Sequence, residues 1–214
     1  MSDNILPPED LNIEKIFQDA FRTMVDQIVA CIVNTILVLV SCVFLGITII
    51  GILAIPAVIG GYVESMIRMA RGEKVGIGDF FKTGFNRFGT LLGASILYFL
   101  GIIIGFICLI IPGIYLMIRW YFLYQVIVDR DASVFESFKQ SADMVTGQFW
   151  IILTLVILIV VIQTIGGSIL VGTLVTIPYT SLLTAHIYLT LNSENTEQVA
   201  VSYTHLTLPT ICSV

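Results

Sequence analysis

Six polar side chains interrupt otherwise apolar stretches of this chain: Asn34, Glu64, Arg119, Gln125, Gln163 and His186. A polar group in such surroundings is costly and raises a functional hypothesis by default. Arg119 stands out, because its guanidinium fork suits phosphate and could hold an anionic group such as a lipid headgroup. Glu64, about eight residues past Pro56, and Arg119, about seven past Pro112, are expected at similar depth. The preferred reading is therefore a buried Arg119–Glu64 pair, or a hydrogen-bonded Arg119, that locks helix register. His186 reads as an interhelical hydrogen-bonding residue, since no second His or Cys–Asp cluster accompanies it to make a metal site. Asn34, Arg119, Gln163 and His186 could alternatively line the path of a small transporter or channel. Neither HExxH, GxSxG nor a phosphate-cradling glycine loop is present, so no catalytic, cofactor-binding or metal-binding residue is assigned.

Composition says what must position these groups. Hydrophobic residues make up 57% of the 214, charged residues 12%, and the mean hydropathy is +0.99. Soluble domains hold about 45–50% apolar and about 25% charged residues, so this chain could not cover its core in water. A net charge of −5 offers no argument for nucleic acid. The apolar runs, approximately 28–50, 52–69, 90–110, 113–128, 149–165 and 169–191, are each near the length that crosses about 30 Å of hydrocarbon as a helix, with 113–128 short. The expected fold is an all-α, polytopic helical membrane bundle of about six transmembrane helices arranged as three hairpins. Cys31, Cys42 and Cys108 lie inside these runs as small apolar thiols.

The same unit recurs: a short amphipathic helix, an apolar run, an Ile-Pro break and more apolar sequence. The helices are expected at 13–21, 77–85 and 134–142, and the repeats at 11–70, 76–128 and 133–191 of one domain spanning 11–192. Pro56, Pro112 and Pro178 are expected at the hairpin turns, since proline ends one helix and suits the first turn of the next. Lys15, Arg22, Arg68, Arg71, Lys74, Lys82, Arg87, Arg130 and Lys139 avoid those turns. By the positive-inside rule both termini are cytoplasmic. The short helices read as elbows orienting the next span, with lipid sensing as the sharper alternative; Ser133-x-x-Glu136 reads as a capping box. Gly89, Gly93, Gly101 and Gly105, spaced by fours or eights, read as close helix packing within the bundle, with dimerisation as the alternative. Gly60-Gly61 and Gly166-Gly167 are weaker signs of the same.

Residues 1–10 read as a disordered acidic N-terminus without a signal peptide, and 193–214 as a tail. Within that tail Val201-Ser-Tyr-Thr-His-Leu-Thr-Leu-Pro-Thr210 resembles the in-frame translation of sequencing-adapter DNA. Residues 201–214 are therefore expected to be non-native, with the true C-terminus missing.

Arg71-Gly-Glu-Lys-Val75, Gly78-Asp-Phe-Phe81, Ile110-Ile-Pro-Gly-Ile-Tyr-Leu116, Arg119 and Val126-Ile-Val-Asp129 together resemble a widespread group of poorly characterised prokaryotic integral membrane proteins. That group is related to the membrane domain fused to glycerophosphodiester phosphodiesterases. Ser141 to Phe149-Trp150 and Val175-Thr-Ile-Pro178 extend the resemblance over most of 12–191. It implies a helical membrane domain without catalytic residues of its own; Glu64 departs from the small residue common in the group. The expectation is a non-enzymatic protein of a bacterial or archaeal inner membrane that organises lipids or membrane partner proteins. Membrane lipids are its expected partners, beside a membrane protein or a second copy of the chain.

Overall fold

A computed structural model describes residues 13–76, 79–168 and 170–206. Residues 1–12, 77–78, 169 and 207–214, which include the acidic N-terminus and part of the adapter-like tail, lie outside the described residues. The chain runs α1 (Ile13–Asp26), α2 (Ile28–Gly46), α3 (Ile49–Ala70), α4 (Asp79–Asn86), α5 (Phe88–Cys108), α6 (Ile110–Arg119), α7 (Leu123–Arg130), α8 (Val134–Val145), α9 (Phe149–Gly167) and α10 (Leu170–Leu206). Six segments are long and apolar enough to cross a membrane, the fourth being α6 and α7 taken together as Ile110–Arg130. Each of the three pairs of crossings follows a short amphipathic helix, α1, α4 or α8. In hydrocarbon a helix satisfies its own backbone, which is why apolar runs of this length fold this way. The chain is a polytopic helical membrane bundle.

Two of the three prolines are not at turns. Pro56 lies inside α3 and Pro178 inside α10. The first hairpin instead turns at Ile47 and Thr48, where the Thr48 hydroxyl accepts the Gly51 N–H at 3.0 Å and caps α3. A good N-cap outweighs a proline here, because a proline within a membrane helix frees few backbone groups and neighbouring helices can compensate. The third hairpin turns at Ser168, which follows α9. Only Pro112 behaves as expected: Leu109 is extended, and Pro112 falls in the first turn of α6.

The fourth crossing is broken at 120–122, between α6 and α7. Ser141 of α8 repairs part of the break: its hydroxyl accepts the Phe122 N–H at 3.2 Å and donates to the Arg119 carbonyl at 3.1 Å. Tight bonds from Tyr121 N–H to the Ile118 carbonyl and from Leu123 N–H to the Trp120 carbonyl, both 3.2 Å, complete it. Phe122, Leu123, Val126 and Ile127 are buried around this point against Met66, Met69, Leu182, Leu183 and Tyr188, forming the core. Non-helical backbone at membrane depth survives where it is buried in protein or lines a cavity.

The amphipathic helices turn their apolar stripes onto the bundle. α1 buries Ile16, Ala20 and Met24, which share one face at a spacing of four. α4 buries Phe80 and Gly84 against α3 so closely that a Cβ at Gly84 would strike the Ala57 carbonyl, and one at Gly61 the Phe80 carbonyl. The gap that Gly84 leaves in the phenylalanine stripe is thus filled by α3. Phe21, Phe85 and Phe135, one on each short helix, face outward. α8 begins at Val134 as expected, but Ser133 makes no side-chain capping bond and Glu136 instead accepts from Gln140 at 3.0 Å. Among the α5 glycines, Gly101 meets the Trp120 ring, Gly105 meets the Gly113 backbone, Gly93 meets Val134, and Gly89 faces open space. Cys31 is buried, Cys42 half-buried and Cys108 exposed, all as free thiols.

Candidate functional site

The polar residues of the crossings do not converge. Glu64 does not pair with Arg119. Its carboxylate lies 3.7 Å from Arg87, at the start of α5. The displaced turn explains this: Glu64 stands about 16 residues, or ~24 Å, beyond Thr48, whereas Arg119 stands about 10 residues, or ~15 Å, beyond Leu109. Gln163 of α9 donates to the Thr180 hydroxyl of α10 at 2.6 Å, and Thr180 passes its own hydrogen to the Thr176 carbonyl at 2.8 Å. His186 of α10 lies 3.3 Å from the Thr23 hydroxyl of α1. That hydroxyl already donates to the Asp19 carbonyl at 2.8 Å, so Nε2 carries the shared hydrogen. Asn34 is completely buried on α2. Gln163 and His186 each join two helices, as interhelical hydrogen bonds do in membranes.

Most arginines gather at one end of the bundle. Arg71 meets Asp129 at 2.5 Å, and the Tyr188 hydroxyl donates to the same carboxylate at 2.9 Å. Arg87 binds Asp131 at 2.8 Å and also donates to the Val128 carbonyl, which stabilises the C-terminus of α7 where Asp131 takes a left-handed conformation, φ 54°. Arg130 donates to Gln140 at 2.8 Å and to Asn192, and Arg68 to Glu73 at 2.8 Å. These contacts tie α3, α5, α7, α8 and α10 together. Tyr188 was not singled out from sequence, and Asp129 entered only as the last residue of the Val126–Asp129 block; an acid ending an apolar run was the available signal.

Arg119 is set apart from this lattice. Its guanidinium donates to the Tyr115 hydroxyl at 3.0 Å, to Thr146 at 3.1 Å and to the Ala142 carbonyl at 3.4 Å, and sits 5.6 Å from the Tyr115 ring centre. Among the described residues no carboxylate pairs with it. The C-terminus of α8 supplies about half a negative charge, leaving roughly half the cation uncompensated. A pocket of about 200 Å³ opens here, lined by Tyr115, Arg119, Val145, Thr146, Gly147 and Phe149. Trp150, 75% exposed, stands beside it at the start of α9. An exposed tryptophan at a helix end is typical of the level of lipid headgroups.

A second cavity of about 220 Å³ lies between α3, the broken fourth crossing and α10. Ile59, Val63, Met66 and Ala185 form its apolar wall, and Tyr121, Tyr124, Gln125, Ser181 and Thr184 its polar one. None of Asn34, Glu64, Arg119, Gln163 or His186 lines it. Among the described residues no group of His, Cys, Asp and Glu could hold a metal ion. No family model, curated protein or solved structure matches the chain.

Proposed function

We propose that this protein organises membrane lipids without catalysing a reaction, holding an anionic headgroup at Arg119. The observation that carries this reading is a guanidinium with no carboxylate partner among the described residues, set in a pocket at the start of a crossing. Its fork and the Tyr115 hydroxyl, which accepts from Arg119 and keeps its own hydrogen to give, suit the oxygens of a phosphate. The exposed Trp150 supports a position at headgroup level. We place the protein in the cytoplasmic membrane of a bacterium or archaeon, with the arginine-rich end and both termini in the cytoplasm by the positive-inside rule. Cysteines introduced at Lys74 and Ser133 should then label only from the cytoplasmic side. The resemblance to the membrane domain of the phosphodiesterase-linked group stays part of this proposal and fits a non-catalytic role.

Transport is the weaker reading, because the residues that would have lined a path are spread over separate helix interfaces. Native mass spectrometry of protein reconstituted with phosphatidylglycerol and phosphatidylcholine tests the lipid reading. The wild type should retain phosphatidylglycerol preferentially, Arg119→Leu should lose that preference, and Arg119→Lys should keep part of it. Equal retention by wild type and Arg119→Leu would contradict it.

A further inference from the structure

We infer that the cavity between α3, the broken fourth crossing and α10 binds a neutral molecule that donates a hydroxyl hydrogen to Gln125. Gln125 is 8% exposed, and no described group donates to its Oε1. A buried carbonyl oxygen left in that state is costly unless something completes it.

The Tyr121, Tyr124 and Thr184 hydroxyls that line the cavity do not do so, because their hydrogens are committed elsewhere. Thr184 donates to the Thr180 carbonyl at 2.8 Å, so the Tyr121 hydroxyl, 3.3 Å away, gives its hydrogen to Thr184. Ser95 donates to the Leu91 carbonyl at 2.6 Å, so Tyr124, at 2.7 Å, gives its hydrogen to Ser95. Of the hydroxyls facing the cavity, those of Tyr121, Tyr124 and Thr184 therefore present lone pairs, and what fits beside them is a donor.

Charge narrows the ligand further. No Asp, Glu, Lys, Arg or His lines the cavity, so neither an ammonium nor a carboxylate would find a counter-charge. The wall of Ile59, Val63, Met66 and Ala185 suits an alkyl portion. A volume of about 220 Å³ equals roughly seven waters' share of liquid at ~30 Å³ each, room for a small alcohol or the hydroxyl end of a neutral lipid. The broken backbone at 120–122 borders this space through Tyr121, as in other bundles where discontinuous helices border a binding site.

The test uses the full chain in nanodiscs, with 1-hexanol, its non-donating isostere 1-methoxypentane, and 1,2-dioctanoylglycerol as probes. The wild type should bind hexanol saturably and about threefold to tenfold more tightly than the ether, the range one net hydrogen bond supplies. Gln125→Leu should bind both alike, and Val63→Phe, which fills the cavity from its apolar wall, should bind neither. Dioctanoylglycerol that competes with hexanol identifies a neutral lipid as the source of the hydroxyl; hexanol binding untouched by it identifies a free small alcohol. Equal affinity of the wild type for alcohol and ether, or a preference that survives in both variants, would overturn the inference.

Discussion

Arg71, Arg87 and Arg130 at one end of the bundle differ from Arg119, partway along the fourth crossing, in what answers their charge. Each of the first three meets a carboxylate, or side-chain amide oxygens from other helices, and so ties helices together. Arg119 meets a phenol, a threonine hydroxyl and one carbonyl, and it borders a pocket. The same side chain is thus used in two ways. Where oxygens from other helices hold the guanidinium it ties helices together, whereas at Arg119 it borders a pocket.

Removing a carboxylate from the paired end should have the largest effect. Asp129 is 7% exposed at its side chain and serves both Arg71 and Tyr188. Asp129→Ala should lower stability by about 3 kcal/mol, below the full cost of breaking a buried pair because Arg71 is 40% exposed and water can replace its partner. Denaturation monitored by circular dichroism would measure it; a loss under about 1 kcal/mol would mean the lattice is ornamental.

Ser141 sharpens the contrast from the side of the break. Ser141→Ala strands the Phe122 N–H and the Arg119 carbonyl together, and should cost about 2 kcal/mol. Its effect should extend to Arg119, whose position depends on that turn, so lipid preference should weaken along with melting temperature.

The glycines provide the smallest and most discriminating pair. Gly61→Ala drives a methyl group into the Phe80 carbonyl and should destabilise by about 1–2 kcal/mol. Gly89→Ala meets nothing and removes a helix-weakening residue, so it should be neutral or stabilising by up to about 1 kcal/mol. Equal behaviour of the two would contradict the close packing of α4 on α3.

Much of the fold was legible because it rests on period and length. The stripe of Ile16, Ala20 and Met24, the start of α8 and the six apolar segments all follow from side-chain spacing. Pro112 marked the second turn, but the first and third were not legible, since Ile47 is as apolar as the helices it separates and the other two prolines stand inside α3 and α10. That displacement moved Glu64 along its helix and dissolved the expected pair with Arg119. Arg119 itself could be found from its type alone. Gln125 was visible as a polar residue in an apolar run, but its setting depends on a break at 120–122 that neither glycine nor proline announces.

The most direct test of the account is the change in melting temperature produced by phosphatidylglycerol relative to phosphatidylcholine, compared between the wild type, Lys139→Ala and Arg119→Leu. Lys139 is an exposed cation on α8, so its removal should leave the phosphatidylglycerol-dependent rise intact. Arg119→Leu should abolish that rise while the variant remains folded. A rise of equal size in Arg119→Leu and wild type would contradict the assignment of Arg119 to a lipid headgroup.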